Sequence, residues 1–203
     1  LNSPIVDFAF GTESTIVLSE DGTLLRIERT PKAKVSRVIH RCSNGDTKFN
    51  EAEVLDKDVV LLGSNGNGLF SCSMHDTIGM LSRVAPSDRE LQKATIREIA
   101  INNDAQRVIV ATDSGLEILD PATLTTIYSS KHAGDIVTTE FTALAVESAD
   151  TIWASSFAGL YRLHASPIAV IKKLTATPSP SIVGFSRVDE HVVIADYTGI
   201  FLA

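Results

Sequence analysis

Five segments of the sequence repeat one pattern: a short β-branched run, a small polar turn, a glycine and a second apolar run. The segments are TIVLSEDGTLLRI, VVLLGSNGNGLFSC, RVIVATDSGLEIL, TIWASSFAGLYRL and HVVIADYTGIFLA. Their glycines are Gly22, Gly68, Gly115, Gly159 and Gly199, at steps of 46, 47, 44 and 40 residues. A fixed period restricts the chain to architectures in which each repeat is one supersecondary unit that stacks on its neighbours.

Each repeat divides into short strand-like segments that are rich in β-branched residues. Four repeats supply four such segments each and the fifth supplies three, which predicts nineteen strands. The turn between the second and third segments ends on glycine, where a positive φ costs little. The stretch from Ser87 to Lys93, with a serine cap and Glu90 three residues later, predicts a helical turn inside a connection.

A period of about 40 to 50 residues is typical of the four-stranded blades of β-propellers. We therefore predict an all-β chain in which residues 1–203 form one partial β-propeller of four-stranded antiparallel blades. The predicted blades cover residues 5–41, 49–85, 95–130, 141–177 and, incompletely, 181–203, which is about four and three-quarter blades. Because only Leu1 to Pro4 precede the first strand, we expect a larger propeller of six to eight blades, or closure by a strand from elsewhere.

One repeat resembles a known family of propellers. The segment TIWASSFAGLYRL, Thr151 to Leu163, resembles the two-component-regulator propellers, whose blades carry an Ile-Trp run, a small polar pair and a Gly-Leu-Tyr-Arg strand. The first copy, FAFGTESTIVLSEDGTLLRI, resembles WD40-type repeats in plan, although no Gly-His opening or Trp-Asp ending occurs. The resemblance implies that the first strand of each blade lines a central channel. It also implies that the second turn of each blade shares one face with the loops between blades.

That implied face carries the candidate site for a binding partner, because loops on a rigid scaffold are frequent binding sites. The candidate residues are Glu20, Asp21, Asn65, Asn67, Asp113, Phe157 and Tyr197, together with the loops 42–48, 86–93, 131–139 and 177–181. An alternative remains open for the two aromatic residues: Phe157 and Tyr197 could instead pack between adjacent blades.

Charge and composition exclude several classes of function. The 18 basic and 25 acidic residues give a net charge of -7, and the basic residues are scattered, so we predict no direct nucleic-acid binding. No apolar stretch approaches the roughly 18 residues of a membrane span. Cys42 and Cys72 lie thirty positions apart without a Cys/His grouping, which predicts free thiols and no metal site. The thiols, the lack of an Asn-x-Ser/Thr acceptor and the lack of a signal peptide predict an intracellular protein.

The sequence lacks a signature for catalysis. Hydrolysis requires a nucleophile, a base and an orienting group, and the five histidines occur singly in different repeats. The stretch from Gly63 to Gly68 lacks the Lys and Ser/Thr of a phosphate-binding loop. Our leading hypothesis is a non-catalytic propeller scaffold without a cofactor that binds other proteins in a larger assembly. The alternatives are a ligand-sensing propeller of a bacterial signal-transduction protein and, third, a lyase or hydrolase.

Overall fold

The computed structural model describes residues 3–29, 35–43, 45–75, 79–85, 88–104, 106–132, 140–165, 168–174, 182–188, 191–196 and 199–202. The chain divides into two compact units, Leu1–Ile99 and Ala100–Ala203. Besides strands, the described residues contain two short 3-10 helices, η1 (Leu91–Lys93) and η2 (Ser130–His132). The first of these falls inside the predicted helical turn. No helix in this part of the chain is long and apolar enough to cross a lipid bilayer.

Two antiparallel sheets, each a meander in chain order, make up most of the first unit. The first sheet consists of β1 (Ile5–Phe10), β2 (Ser14–Ser19), β3 (Thr23–Arg29) and β4 (Val35–Arg41). The second sheet consists of β5 (Phe49–Val54), β6 (Val59–Ser64), β7 (Leu69–Ser73) and β8 (Met80–Arg83). The unit ends within the next strand, β9 (Ile96–Asn102).

The remaining strands form three further meanders. The third sheet contains β9 with β10 (Arg107–Thr112), β11 (Gly115–Leu119) and β12 (Thr126–Ser129). The fourth contains β13 (Ala143–Ser148), β14 (Thr151–Ser156), β15 (Gly159–Ala165) and β16 (Ile168–Leu174). The fifth contains β17 (Ile182–Val188), β18 (His191–Asp196) and β19 (Gly199–Leu202). The described residues contain the nineteen strands that the sequence predicts.

The second strand of each of the first four sheets is largely buried on both faces. Every residue of β14 is buried, and so is every residue of β6 and β10 except the first. A strand that is covered on both sides needs apolar residues at consecutive positions, which explains the unbroken hydrophobic runs of these strands. The outer strands β8 and β12 are mostly exposed or half-buried, so their sequences carry more polar residues.

Each unit has its own hydrophobic core. In the first unit, Ala9, Ile16, Leu18 and Leu24 of the first sheet pack against apolar side chains of the second sheet. The rings of Phe49 and Phe70 meet edge to face in this core, with centroids 5.6 Å apart. In the second unit, Phe141 and Tyr161 form the corresponding edge-to-face pair, at 5.9 Å.

The prediction of free thiols is wrong. Cys42, which follows β4, and Cys72, in β7, form a disulfide, with their Cα atoms 6.0 Å apart. Stacking of the second sheet on the first brings the two cysteines together in the core, a proximity that their thirty-residue spacing does not reveal. A side chain at Gly79 would overlap both sulfur atoms, so glycine is required beside the bond. Because the two cysteines are paired, they do not indicate an intracellular setting.

Thiol titration checks this pairing. The chain unfolded in guanidinium chloride is expected to contain no thiol that reacts with a chromogenic disulfide reagent, because both of its cysteines are paired. The same sample treated first with a reductant and then desalted is the control, and it is expected to release two thiols per chain. Two reactive thiols in the untreated protein would contradict the disulfide.

Candidate functional site

Lys48 connects two of the predicted surface turns in the first unit. Its ammonium donates a hydrogen bond to Glu20 Oε1 at 3.1 Å, and its backbone carbonyl accepts one from the Asn65 N–H at 3.0 Å. The next residue, Phe49, donates its N–H to the Glu20 carbonyl at 2.9 Å. Turns from consecutive repeats thus meet at the loop between their sheets, as the propeller geometry predicts. We call the surface of Glu20, Lys48 and Asn65 the Lys48 surface.

Asp21 is engaged within its own turn. One carboxylate oxygen accepts hydrogen bonds from the Ser19 hydroxyl at 2.9 Å and from the Thr23 N–H at 3.0 Å. Burial acts to raise the pKa of Asp21, but these hydrogen bonds outweigh it and lower the pKa. Asp21 therefore orders the turn beside Glu20 and keeps its negative charge.

The turn between β6 and β7 is held from two sides. The exposed Asn65 accepts a hydrogen bond at Oδ1 from the Thr95 hydroxyl at 3.3 Å. The Asn67 carbonyl accepts one from Arg83 Nη1 at 3.0 Å, and the Arg83 guanidinium lies 4.9 Å from the centre of the Phe70 ring. These contacts fix the backbone of the turn and leave the Asn65 side chain at the surface.

The other candidate residues belong to the second unit. Asp113 is exposed at the turn between β10 and β11. Phe157, between β14 and β15, is 65% exposed, so the alternative in which its ring packs between blades is wrong. Tyr197 lies outside the described residues, as do the loop 177–181 and residues 133–139 of the loop 131–139.

Buried hydroxyl groups fix the turns that carry the candidate residues, and the sequence analysis missed them. The Ser19 hydroxyl, whose one proton is shared with Asp21, lies 2.8 Å from the Thr23 carbonyl oxygen. Ser64 donates to the Gly68 carbonyl at 2.6 Å, and Thr112 donates to that of Gly115 at 2.9 Å. In the fourth sheet, the Ser156 hydroxyl accepts the Ala158 N–H at 3.0 Å. A Ser or Thr as the last residue of the second strand in four repeats is the sequence signal for this role.

A second group that sequence reasoning missed lies on the first strands of the first unit. We call Asp7 of β1, Glu51 and Glu53 of β5, and Glu98 of β9 the first-strand carboxylates; all four are half-buried. The Ala52 N–H of β5 donates to Asp7 Oδ2 at 2.8 Å, so this carboxylate joins the first strands of consecutive sheets. The acidic residues lie one repeat apart, which could have indicated their proximity.

Burial and mutual repulsion raise the pKa values of these carboxyls. Burial is the larger cause for Glu53, whose pKa rises to about 7, and the neighbouring Asp7 adds to it. Glu51 and Glu98 also have raised pKa values, through burial first and then through the surrounding negative charges. The group can therefore retain protons at neutral pH. Among the described residues, no three or more His, Cys, Asp or Glu are placed to hold a metal ion.

The residues that resemble the two-component-regulator propellers tie three strands together. Glu147 of β13 accepts hydrogen bonds from Trp153 Nε1 at 2.8 Å and from Arg162 Nε at 2.9 Å through Oε2. Its other oxygen accepts one from Arg162 Nη2 at 2.8 Å. Charge-assisted bonds to both oxygens fix the carboxylate across the fourth sheet. Trp153 and Arg162 thus have a structural role within this sheet.

Known structures resemble this arrangement of sheets. The propeller domain of Cps50 (Swd1) from Myceliophteria thermophila is 13% identical, with a TM-score of 0.69, over 98% of this chain and 69% of that one. The chain has a β-propeller fold. The computationally designed Ika8 protein matches the whole chain at 15% identity and a TM-score of 0.72. PorZ of Porphyromonas gingivalis matches 99% of it at 14% identity and a TM-score of 0.70.

The propeller comparisons differ in extent. The chain spans 58% of Ika8 and 27% of PorZ. No protein-family model matches the sequence, and no curated protein matches it. The similarity at these identities establishes the fold alone.

Proposed function

We propose that this propeller is a non-catalytic scaffold that binds a protein partner through the turns between the second and third strands of its blades. The single observation that carries the proposal is the exposure of Phe157, a residue that is 65% exposed in such a turn. Aromatic side chains are enriched in the centres of protein interfaces, where they bury a large area with few rotatable bonds.

The turn that bears Phe157 suits a binding role because its backbone is ordered. The Ser156 hydroxyl accepts the Ala158 N–H at 3.0 Å, and β14 beneath the turn is buried throughout. A side chain on a fixed turn loses less conformational entropy on binding than one on a mobile loop. This preorganisation supports Phe157 as the anchor of the interface.

Charge defines the partner that we expect. The chain carries a net charge of -7, and Asp113 is exposed at the corresponding turn of the preceding blade. A negatively charged surface with an exposed apolar residue favours a partner that offers basic side chains and an apolar pocket. PorZ, with a similar fold over the length of this chain, is a surface component of the type-IX secretion system, which is a precedent for a role in an assembly.

Affinity purification with paired variants tests the proposal. The wild-type chain, Phe157→Ser and Ile127→Ser are each used as bait in lysate of the source organism, with the recovered proteins quantified by mass spectrometry. Ile127 is the matched control because it is an apolar residue on β12 that is also half exposed, at 49%.

We expect at least one protein to be recovered in near-stoichiometric amount with the wild-type chain and with Ile127→Ser. Its recovery with Phe157→Ser is expected to fall at least about tenfold, which corresponds to the loss of about 1.4 kcal/mol at an interface anchor. Equal recovery with both variants, or no stoichiometric partner for the wild type, would overturn the proposal.

A further inference from the structure

The turn between β6 and β7 contains the dipeptide Asn-Gly twice, as Asn65-Gly66 and Asn67-Gly68. An asparagine that precedes a glycine deamidates without an enzyme when the backbone nitrogen of the glycine attacks the side-chain amide carbon of the asparagine. Glycine favours this step because it has no side chain to obstruct the approach and its backbone adopts many conformations. The peptide unit between the two residues must therefore be free to move. A third such pair begins at Asn44, which lies outside the described residues.

The overall change is the hydrolysis of a side-chain amide. A bond forms between the glycine nitrogen and the asparagine Cγ, and the bond from Cγ to Nδ2 breaks. The amide group leaves as ammonia and takes the proton of the glycine N–H with it. Water then adds to either carbonyl of the resulting succinimide ring, which yields aspartate or isoaspartate. Water is thus the only co-reactant.

The peptide unit between Asn67 and Gly68 is held at both of its polar atoms. The Gly68 N–H donates a hydrogen bond to the Ala94 carbonyl at 3.0 Å. The Asn67 carbonyl accepts one from Arg83 Nη1, also at 3.0 Å. A Cβ at position 68 would overlap the Leu91 carbonyl oxygen, so the connection at η1 packs directly on this glycine. The nitrogen that would attack is engaged, and the turn must open locally before it can react.

The peptide unit between Asn65 and Gly66 lacks these restraints. Of the residues that the structure describes, none accepts a hydrogen bond from the Gly66 N–H. No atom lies within 4 Å of the position that a Cβ on Gly66 would occupy. The exposed Asn65 side chain accepts a single hydrogen bond, from the Thr95 hydroxyl at 3.3 Å. The attacking nitrogen is therefore available, and the backbone around it has room to move.

We propose that Asn65 is a site of spontaneous deamidation and that Asn67, two residues later in the same turn, is protected by its contacts. The reaction replaces a neutral amide by a carboxylate beside Lys48, whose carbonyl accepts the Asn65 N–H. Because the charges of Glu20 and Lys48 balance each other, the Lys48 surface changes from neutral to negative as the protein ages. The inference is independent of the proposed function, which is carried by Phe157.

Peptide mapping of the whole chain tests the proposal. The folded protein is incubated in mildly alkaline buffer, because the attacking nitrogen must lose its proton. Samples are then digested with pepsin at acidic pH, where deamidation is slow, and tandem mass spectrometry locates the converted residues. We expect Asn65 to convert at least about tenfold faster than Asn67, which corresponds to about 1.4 kcal/mol for opening the contacts that protect Asn67.

Two controls separate the effect of the fold from that of the sequence. In the chain unfolded with guanidinium chloride, both asparagines are expected to convert at similar rates, because both precede glycine. In folded Gly66→Ala, the added methyl group obstructs the attack, so conversion of Asn65 is expected to slow severalfold while that of Asn67 is unchanged. The open space around Gly66 accommodates this methyl group.

Three results would overturn the proposal. The first is a rate at Asn67 that equals or exceeds the rate at Asn65 in the folded chain. The second is the absence of conversion at Asn65 over a time in which the unfolded chain reacts. The third is an unchanged rate at Asn65 in Gly66→Ala, which would show that the nitrogen of residue 66 is not the attacking group.

Discussion

Gly68→Ala is expected to lower the free energy of unfolding by at least about 3 kcal/mol. Gly68 ends the turn between β6 and β7 with a φ of +79°, which non-glycine residues rarely adopt. A methyl group there would overlap the Leu91 carbonyl oxygen and lie 2.8 Å from the Gln92 Cα. Backbone strain and steric overlap therefore both contribute to the loss of unfolding free energy. Urea unfolding followed by far-ultraviolet circular dichroism measures the loss.

Gly66→Ala is the matched control for this substitution. Gly66 lies in the same turn with a φ of +78°, but no atom lies within 4 Å of the position that a Cβ would occupy. We expect its replacement to cost only the backbone strain, about 1 kcal/mol. The difference between the two variants measures how tightly the turn packs on the connection at η1. Similar losses for both would contradict this packing.

The stability of the chain is expected to fall as the pH rises from about 4.5 to 7 and beyond. A carboxyl whose pKa is raised by folding binds more protons in the folded state than in the unfolded state, so deprotonation favours unfolding. Glu53, with its pKa raised to about 7, alone removes on the order of 3 kcal/mol by pH 9. Glu51 and Glu98 extend the loss to higher pH.

Glu53→Gln is expected to remove part of this pH dependence. An amide resembles a protonated carboxyl, so the variant should match the wild type at pH 4 and exceed its unfolding free energy by roughly 3 kcal/mol at pH 9. Denaturant unfolding at several pH values measures the unfolding free energies of the variant and of the wild type. Glu13→Gln, at an exposed turn residue, controls for the change in net charge. A wild-type pH slope in the Glu53 variant would rule out this role of the carboxylates.

Local pattern predicts the strands and turns of this chain because both depend on neighbouring residues. The buried run of β14 and the glycine with positive φ at Gly22 are visible in the sequence as a β-branched stretch and an Asp-Gly pair. The Cys42–Cys72 disulfide and the hydrogen bond between Ala52 and Asp7 join different repeats. Such contacts depend on how sheets stack, which no local pattern encodes.

For the candidate site, the sequence predicts the positions of the turns but not the exposure and contacts of their side chains. The turn position of Phe157 follows from the repeat, whereas its 65% exposure depends on which side chains surround it. The repeat also places Glu20 and Asn65 on one face, but Lys48 connects them through atoms that belong to a loop between sheets. Sequence reasoning therefore placed these turns in the repeat without identifying the contacts between them, and the binding role of the surface stays a prediction.

The spacing of the contacts between sheets has a consequence for folding. Every strand of the described sheets pairs with its neighbour in the sequence, so each sheet can form from a local segment. The side chains of Asp7, Asn50 and Asn102 bond to backbone atoms 45 or 46 residues away, one repeat further on. Folding is therefore expected to be cooperative mainly between adjacent sheets, as in a linear repeat protein. A destabilising substitution in one sheet should therefore weaken the adjacent sheets first. The resulting increase in amide hydrogen-exchange rate should become smaller from one sheet to the next with distance from the substitution.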